Sequence, residues 1–295
     1  MKQWSWTWKI AKQHEGMLVR EYLISVRAFS RQLLKQIKQG QGLKVNGAAV
    51  TVRKKLETGD ELEVTLPPAE PAERLEAVEM ELAIVYEDED VLVVDKPAGL
   101  AVMPSMNHDV TLANGIIAYY QQTGIPSTIH VVTRLDRDTS GLVLIAKHAY
   151  SHSLLSARHD GPIEKTYLAL VEGKLDQSKG TIEAPIGRKD GSIIEREVRK
   201  DGQPATTRYQ VLEFLKQHSL VEVELVTGRT HQIRVHMSYL GHPLAGDDLY
   251  GGSLNLMKRQ ALHCHRLAFT HPLTGETVVC QKELPRDMVS AMDKA

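Results

Sequence analysis

Thr133-Arg134-Leu135-Asp136-Arg137-Asp138-Thr139-Ser140-Gly141, running into Leu142-Val143-Leu144-Ile145-Ala146, is the stretch from which the rest of the chain is read. Two carboxylates, two guanidiniums and two hydroxyls occupy the seven positions 134–140. The apolar run behind them is short and β-branched enough to be a buried strand. Polar groups this dense at a strand entrance point to a site. Thr139, Ser140 and Gly141 complete a turn after Asp138, which suits that residue to ordering the loop.

Further blocks lie on either side: Asp95-Lys96-Pro97-Ala98-Gly99-Leu100, Glu164-Lys165-Thr166-Tyr167-Leu168-Ala169-Leu170, Thr227-Gly228-Arg229-Thr230-His231-Gln232-Ile233-Arg234-Val235-His236-Met237, and Ala261-Leu262-His263 to Phe269-Thr270-His271-Pro272. In this order they resemble the RluA-type pseudouridine synthases, whose signature loop reads His-Arg-Leu-Asp-Arg-Asp-Thr-Ser-Gly. Thr133 replaces the His, and Met103 stands where a His is common. Several motifs in order over roughly two hundred residues carry far more weight than any one of them.

Length allows one large or two modest domains, and 42% hydrophobic with 25% charged residues is ordinary for a globular protein. No apolar run approaches the ~18 residues that span a bilayer, and the N-terminus lacks a secretory h-region. Two cysteines, Cys264 and Cys280, are too few for a disulfide scaffold. A cytoplasmic protein without a membrane partner is expected. The net charge of −1 gives no basic signature for nucleic acid, but it averages over a division. Residues 1–66 carry twelve Lys/Arg against six Asp/Glu, whereas residues 67–90 carry one against nine. Positive charge is concentrated at the N-terminus.

Trp4, Trp6, Trp8 and Ile10 alternate with polar residues as a strand with one apolar face would, and the stripe is expected to pack against its own domain. Helices are expected over Leu18–Ile24 and Ser30–Gln39, the second capped by Ser30 and carrying Arg31, Lys35 and Lys38; Asn46-Gly47 favours a hairpin turn. Residues 1–66 are similar to the small alpha-L RNA-binding domain of a ribosomal small-subunit protein, and that resemblance makes Arg31, Lys35 and Lys38 RNA contacts. Pro67-Pro68-Ala69-Glu70-Pro71 and the acidic residues to Glu81 read as a stiff, extended linker over 67–81. The third unit, 82–295, begins with a hairpin of Leu82–Tyr86 and Val91–Val94. Helices follow at Thr111–Gln122 and Ala149–Arg158, with strands at Lys165–Val171, Thr206–Phe214 and Leu220–Val226. Mixed strands without strict βαβ alternation argue for α+β with a mostly antiparallel sheet, and the resemblance implies the same.

Pseudouridine formation breaks the bond between uracil and the anomeric carbon, turns the base and rebonds it through carbon five. Nothing is gained or lost, so no cofactor is expected. The resemblance makes Asp136 the essential carboxylate, attacking the uracil ring or acting on the sugar by proton abstraction. It places Arg229 against that carboxylate, where a neighbouring cation keeps an acid ionised, and makes Tyr167 the ring that meets the target base. Arg134 would fill the gap left by the flipped nucleotide or touch a phosphate, and Arg137, Lys165 and Arg234 would contact RNA. Thr230 suits the N-cap of a helix through Ile233 and Leu240, ended by Gly241.

No metal is expected. His231 and His236 are ~140° apart on a helix, whereas chelating pairs use a spacing of four, and His263, Cys264, His265 and Cys280 lack a close Cys pair. Two other classes bear comparison. A retaining glycosidase could use Asp136 and Asp138 held ~5 Å apart, and would release its aglycone. A non-enzymatic RNA-binding or ribosome-assembly factor could use the loop as a phosphate clamp. The resemblance favours isomerisation of uridine in structured RNA, large-subunit ribosomal RNA before transfer RNA, by a monomer.

Overall fold

A computed structural model of the chain describes residues 3–67, 75–104, 110–157 and 163–295. In the N-terminal part, β1 (Ser5–Lys9), β2 (Leu43–Val45), β3 (Ala48–Ala49) and β4 (Glu61–Thr65) form an antiparallel sheet in the order β1-β4-β2-β3. Against it lie α1 (Val19–Glu21), which runs into a π turn at Tyr22–Val26, and α2 (Arg31–Gln39). The first expected helix is thus present over residues 19–26, its second half wound as a π-helix. Ser30 Oγ accepts from Leu33 N at 3.1 Å and caps α2. That helix buries Leu33, Leu34 and Ile37 and leaves Arg31, Lys35 and Lys38 exposed on the opposite face.

The larger sheet comprises β5 (Ala83–Glu87), β6 (Val91–Lys96), β7 (His130–Val131), β8 (Ser140–Ala146), β9 (Glu164–Glu172) and β10 (Lys179–Glu183), then β13 (Thr206–Phe214), β14 (His218–Leu225), β15 (Leu262–Thr270) and β16 (Thr277–Gln281). A separate hairpin, β11 (Ile186–Arg188) and β12 (Arg196–Val198), precedes β13. The main path is β10-β13-β14-β9-β15-β8-β6-β5, antiparallel except where β8 and β15 run parallel. Helices α3 (Leu112–Thr123), α4 (Ala149–Ala157), α5 (Gln232–Tyr239) and α6 (Arg286–Met292) complete an α+β arrangement.

Every residue of β8 is buried, because the strand feeds two cores. Leu142, Leu144 and Ala146 pack with Val91, Val93 and Ala169, while Val143 and Ile145 pack with Leu92, Val94 and the α3 residues Leu112, Ile116 and Tyr120. A strand covered on both faces needs a continuous apolar run, and each large side chain so buried contributes about 1.5–3 kcal/mol. At the head of β8 the backbone is tight. Gly141 has φ +114°, and a Cβ there would overlap the backbone of Cys264. Glycine is what lets β15 lie directly against the signature loop.

Trp4, Trp6 and Trp8 pack against the core of their own domain, as expected, and also meet rings of α4 and its approach: Trp4 to His148 at 4.5 Å, Trp6 to Tyr150 at 4.9 Å, with Phe29 stacked on Tyr150 at 4.1 Å. Ser153 Oγ also donates to Ala28 O at 2.8 Å. The stripe joins the N-terminal part to the larger sheet, which is the better burial for rings that a small four-stranded sheet cannot cover alone. In the acidic segment, residues 68–74 lie outside the described residues. The part after them is docked, not free: Val78 N donates to Asn114 O at 3.2 Å and Asn114 Nδ2 to Glu76 O at 2.8 Å. No helix among the described residues is long and apolar enough to cross a membrane.

Replacing Gly141 by alanine should be among the most damaging single changes, because the new methyl meets main chain that cannot yield; a loss above about 3 kcal/mol is expected. A fall in the thermal midpoint much smaller than that of a core Leu→Ala change would contradict it. Burial also lowers His130 and His263 from 6.5 to about 4. Both are neutral in the fold while the unfolded chain binds protons at its ordinary value. Stability should therefore be full above about pH 6.5 and decline as the pH falls toward 4, by up to about 1.4 kcal/mol per pH unit for each group, which urea titrations at several pH values measure.

Candidate active site

The strand order builds the site from pieces far apart in sequence. Gly141 on β8 pairs with Cys264 on β15, and Cys264 pairs in turn with Tyr167 on β9. Three neighbouring strands thus bring the signature loop and the tyrosine to one end of the sheet. Tyr167 is buried, and burial, then the Cys264 and Asp136 charges, push its phenol well above its usual range. Lys165 lies two residues earlier on the same face; burial lowers its pKa and the nearby Arg134 charge adds to that. Arg134 itself is exposed.

The loop is stapled from behind. Lys96 is fully buried, and its Nζ donates to the carbonyls of Pro97, Leu100 and Arg137 at 2.8, 2.7 and 2.9 Å. Burial draws its pKa down to about 7, with Asp138 and Asp136 opposing. Three carbonyl acceptors take three protons, so the ammonium is the form that fits this nest. Gln260 Nε2 donates to Thr139 Oγ1 at 3.3 Å, Arg259 Nη1 to Asp138 O at 3.2 Å, and Leu144 N to Thr133 Oγ1 at 2.9 Å. Thr133, in place of the histidine of the resembling family, is thus a main-chain anchor. Arg137 is half exposed and bound through Nε and Nη2 to Asp138. Asp138 is taken up by its neighbour, as a loop-ordering residue would be.

Asp136 is left accessible, with its side chain 31% exposed. Its Oδ2 receives Arg234 Nη1 at 3.3 Å, and His231 Nε2 lies 3.8 Å away. The arginine at the carboxylate is therefore Arg234 and not Arg229. Arg229 is exposed and turns its Nε to Pro204 O at 3.1 Å. Nor is Arg234 free to contact RNA, since its side chain is 8% exposed and grips the buried Asp247 through Nε and Nη2, both at 2.7 Å. Burial would lower the Arg234 pKa, but Asp247 and then Asp136 outweigh it and the value is raised. The cause of the exchange is local backbone. Thr230 does not cap α5; His231 precedes the helix in left-handed conformation (φ +57°), and the Gln232 side chain accepts from Arg229 N and Thr227 Oγ1 at 2.9 Å each. This break faces Arg229 outward and leaves Arg234, within the helix, on the Asp136 side.

The histidines serve as hydrogen-bonding groups. His236 meets Thr207 Oγ1 and Ala184 O, and His231 meets Tyr250 OH. His263 meets Ser140, Cys264 lies beside Tyr167, His265 pairs with Glu222 at 3.5 Å, and Cys280 faces Leu267 across a strand pair. Asp88, Asp90 and His271 also converge. There, His271 Nδ1 accepts from Leu273 N and Thr274 N, which puts its proton on Nε2 toward Asp88, a donor and not a metal lone pair.

The family model for RNA pseudouridylate synthase matches residues 90–239, which include the loop, β9 and all of α5. The chain is 50% identical to the uncharacterized RNA pseudouridine synthase YjbO of Bacillus subtilis (strain 168) over 275 residues, 92% of this chain and 97% of that one. The chain belongs to the RNA pseudouridylate synthase family. It is an isomerase that converts uridine to pseudouridine in RNA. This synthase is also 39% identical to ribosomal large subunit pseudouridine synthase D of Pseudomonas aeruginosa over 269 residues, 86% of this chain and 83% of that one. Among solved structures it resembles human RNA pseudouridylate synthase domain containing 1, with a TM-score of 0.57 and 29% identity over 72% of this chain and 86% of that one.

Of the residues singled out in the sequence, Asp136, Tyr167, Lys165 and Arg134 gather at the end of β8, β9 and β15. Arg31, Lys35 and Lys38 lie apart on α2. Lys96, Asp247, Tyr250 and Arg259 were not singled out. Lys96 carried a signal, since it sits in the Asp95-Lys96-Pro97 block; Arg259 carried none.

Replacing Arg234 by methionine removes the only described guanidinium on Asp136 and strands buried Asp247, so pseudouridine formation should fall by about 10²–10³-fold and stability by about 3 kcal/mol. Arg229→Met should leave single-turnover rates within about threefold of wild type. Equal losses in the two variants would reinstate Arg229.

Proposed function

We propose that this synthase acts on uridines in structured RNA, large-subunit ribosomal RNA before transfer RNA, with Asp136 as its essential carboxylate. The observation that carries the assignment is that Asp136 is accessible on one side while its other side is fixed by Arg234 Nη1 at 3.3 Å. A carboxylate ordered by a buried cation yet open to solvent is what an attack on the uracil ring or a proton abstraction from the sugar needs. Ribosomal RNA is favoured by the name of the Pseudomonas aeruginosa relative. The geometry does not favour the paired-carboxylate reading, since Asp138 is bound to Arg137.

The target base leaves its stack to reach Asp136, at a cost of a few kcal/mol. Exposed Arg134, next to the loop, and half-buried Lys165, without an ion pair among the described residues, are the groups proposed to offset that cost. Arg31, Lys35 and Lys38 on α2 bind backbone phosphates at a distance, and Arg137 contributes at the loop. The enzyme works as a monomer in the cytoplasm, with no cofactor.

Asp136→Asn should bind substrate RNA within about twofold of wild type while forming no pseudouridine, measured by filter binding and by sequencing after carbodiimide treatment of ribosomal RNA from a deletion strain rescued with each gene. Retained product would remove Asp136 from the mechanism, and an unmodified site in transfer RNA alone would shift the substrate class. Arg31, Lys35 and Lys38 changed together to alanine should flatten the slope of log K against log salt by about 2, leaving the rate with saturating enzyme unchanged.

A further inference from the structure

The groups around Asp136 meet only one of its oxygens. Arg234 Nη1 and His231 Nε2 lie 3.3 and 3.8 Å from Oδ2, while Oδ1 has no partner among the described residues. His231 is held at its far side as well. Its Nδ1 is 2.7 Å from Tyr250 OH, and that oxygen accepts the backbone N–H of Arg196 at 3.0 Å. A phenol has one proton. Arg196 donates to that oxygen, and His231 Nδ1 is the only acceptor among the described residues within reach of the Tyr250 hydroxyl proton; directing that proton to Nδ1 leaves the imidazole proton on Nε2, the side that faces the Asp136 carboxylate. Burial lowers the His231 pKa against the pull of Asp136, which agrees with a neutral ring carrying one N–H.

The same turn orients the other donor. Asp247 holds Arg234 from below, and the Tyr250 ring lies 4.8 Å from its Cζ. Residues 247–250 thus set both groups that face Oδ2. His231 pays for its place with a left-handed backbone that a side chain seldom adopts (φ +57°).

We infer that Asp136 is presented to the uridine through Oδ1 alone: Oδ2 is claimed by Arg234 and by the Nε2–H of His231, whose tautomer Tyr250 dictates. Asp247, Tyr250 and His231 are positioning residues for the reaction, and the inference rests on Asp136 being the catalytic carboxylate. At 3.8 Å the His231 contact is longer than a hydrogen bond, so its Nε2–H acts on Oδ2 as an oriented dipole. The chain Arg196–Tyr250–His231–Asp136 also ties the β11–β12 hairpin to the reacting group.

Tyr250→Phe keeps the ring on Arg234 and removes the hydroxyl. We expect its single-turnover rate to fall about 10- to 100-fold with RNA affinity within about twofold. Long-range ¹H–¹⁵N correlation spectra of the free protein read the cause directly, the His231 signals being those lost in His231→Asn, a residue that tolerates the same backbone. Wild type should show His231 protonated on Nε2 only, and Tyr250→Phe a mixture of tautomers. Nδ1 protonation in wild type, or an undiminished rate in a Tyr250→Phe protein whose tautomer has changed, overturns the proposal. Activity in Asp136→Asn would also overturn it, but would leave the spectra unaffected, so failure of the carboxylate assignment is distinguishable from failure of the tautomer argument.

Discussion

The site depends on one buried cation shared by two carboxylates. Arg234 is almost wholly out of water and is matched to Asp247, itself buried, by two short hydrogen bonds. A charge in that position is tolerated only because it is paired. Since Asp247 fixes the plane of the guanidinium, the remaining Nη1 points at Asp136 without being bent there by Asp136 itself. The Asp136 carboxylate is held by a group whose orientation was settled elsewhere, and its other side is left exposed. That division between an anchored side and an open side is electrostatic preorganisation in a single contact.

Holding α5 in place is the work of the chain around it. Gln232 bridges Arg229 N, Thr227, Thr206 O and Thr207, tying the helix start to β13, while His236 reaches Thr207 and Ala184 O. On the opposite side, Lys96, Arg259 and Gln260 grip the signature loop from β6 and the approach to β15. Asp136 therefore sits between two separately braced supports. A shift of about 1 Å in either would break a geometry on which rate depends steeply.

Asp136 and the exposed basic face of α2 lie in two parts of the chain that the N-terminal tryptophans join. The Trp4, Trp6 and Trp8 stripe, tilted or edge-on against His148 and Tyr150, makes the distance between the two a property of the fold. Tryptophan is suited to this, having a large apolar body with few rotamers to lose. Ahead of β5, residues 75–81 are docked along α3 through Glu76 O and Val78 N.

Much of this was legible in the residues themselves. The apolar run of β8, the Ser30 cap, the hairpin into β6 and the α+β class follow from local pattern, because burial and backbone propensity act over a few neighbours. Family resemblance rested on the same local blocks and pointed to Asp136 and Tyr167. What only the tertiary structure decided was which arginine faces the carboxylate. Arg229 and Arg234 lie five positions apart in one motif, and a left-handed residue at His231, stabilised by contacts to Tyr250 and by the Gln232 network, sets which of them turns inward. Pairing of Arg234 with Asp247, of Lys96 with three carbonyls, and of the tryptophans with α4 likewise joins segments with no sequence relation, since a buried charge or ring is satisfied by whatever the fold brings beside it.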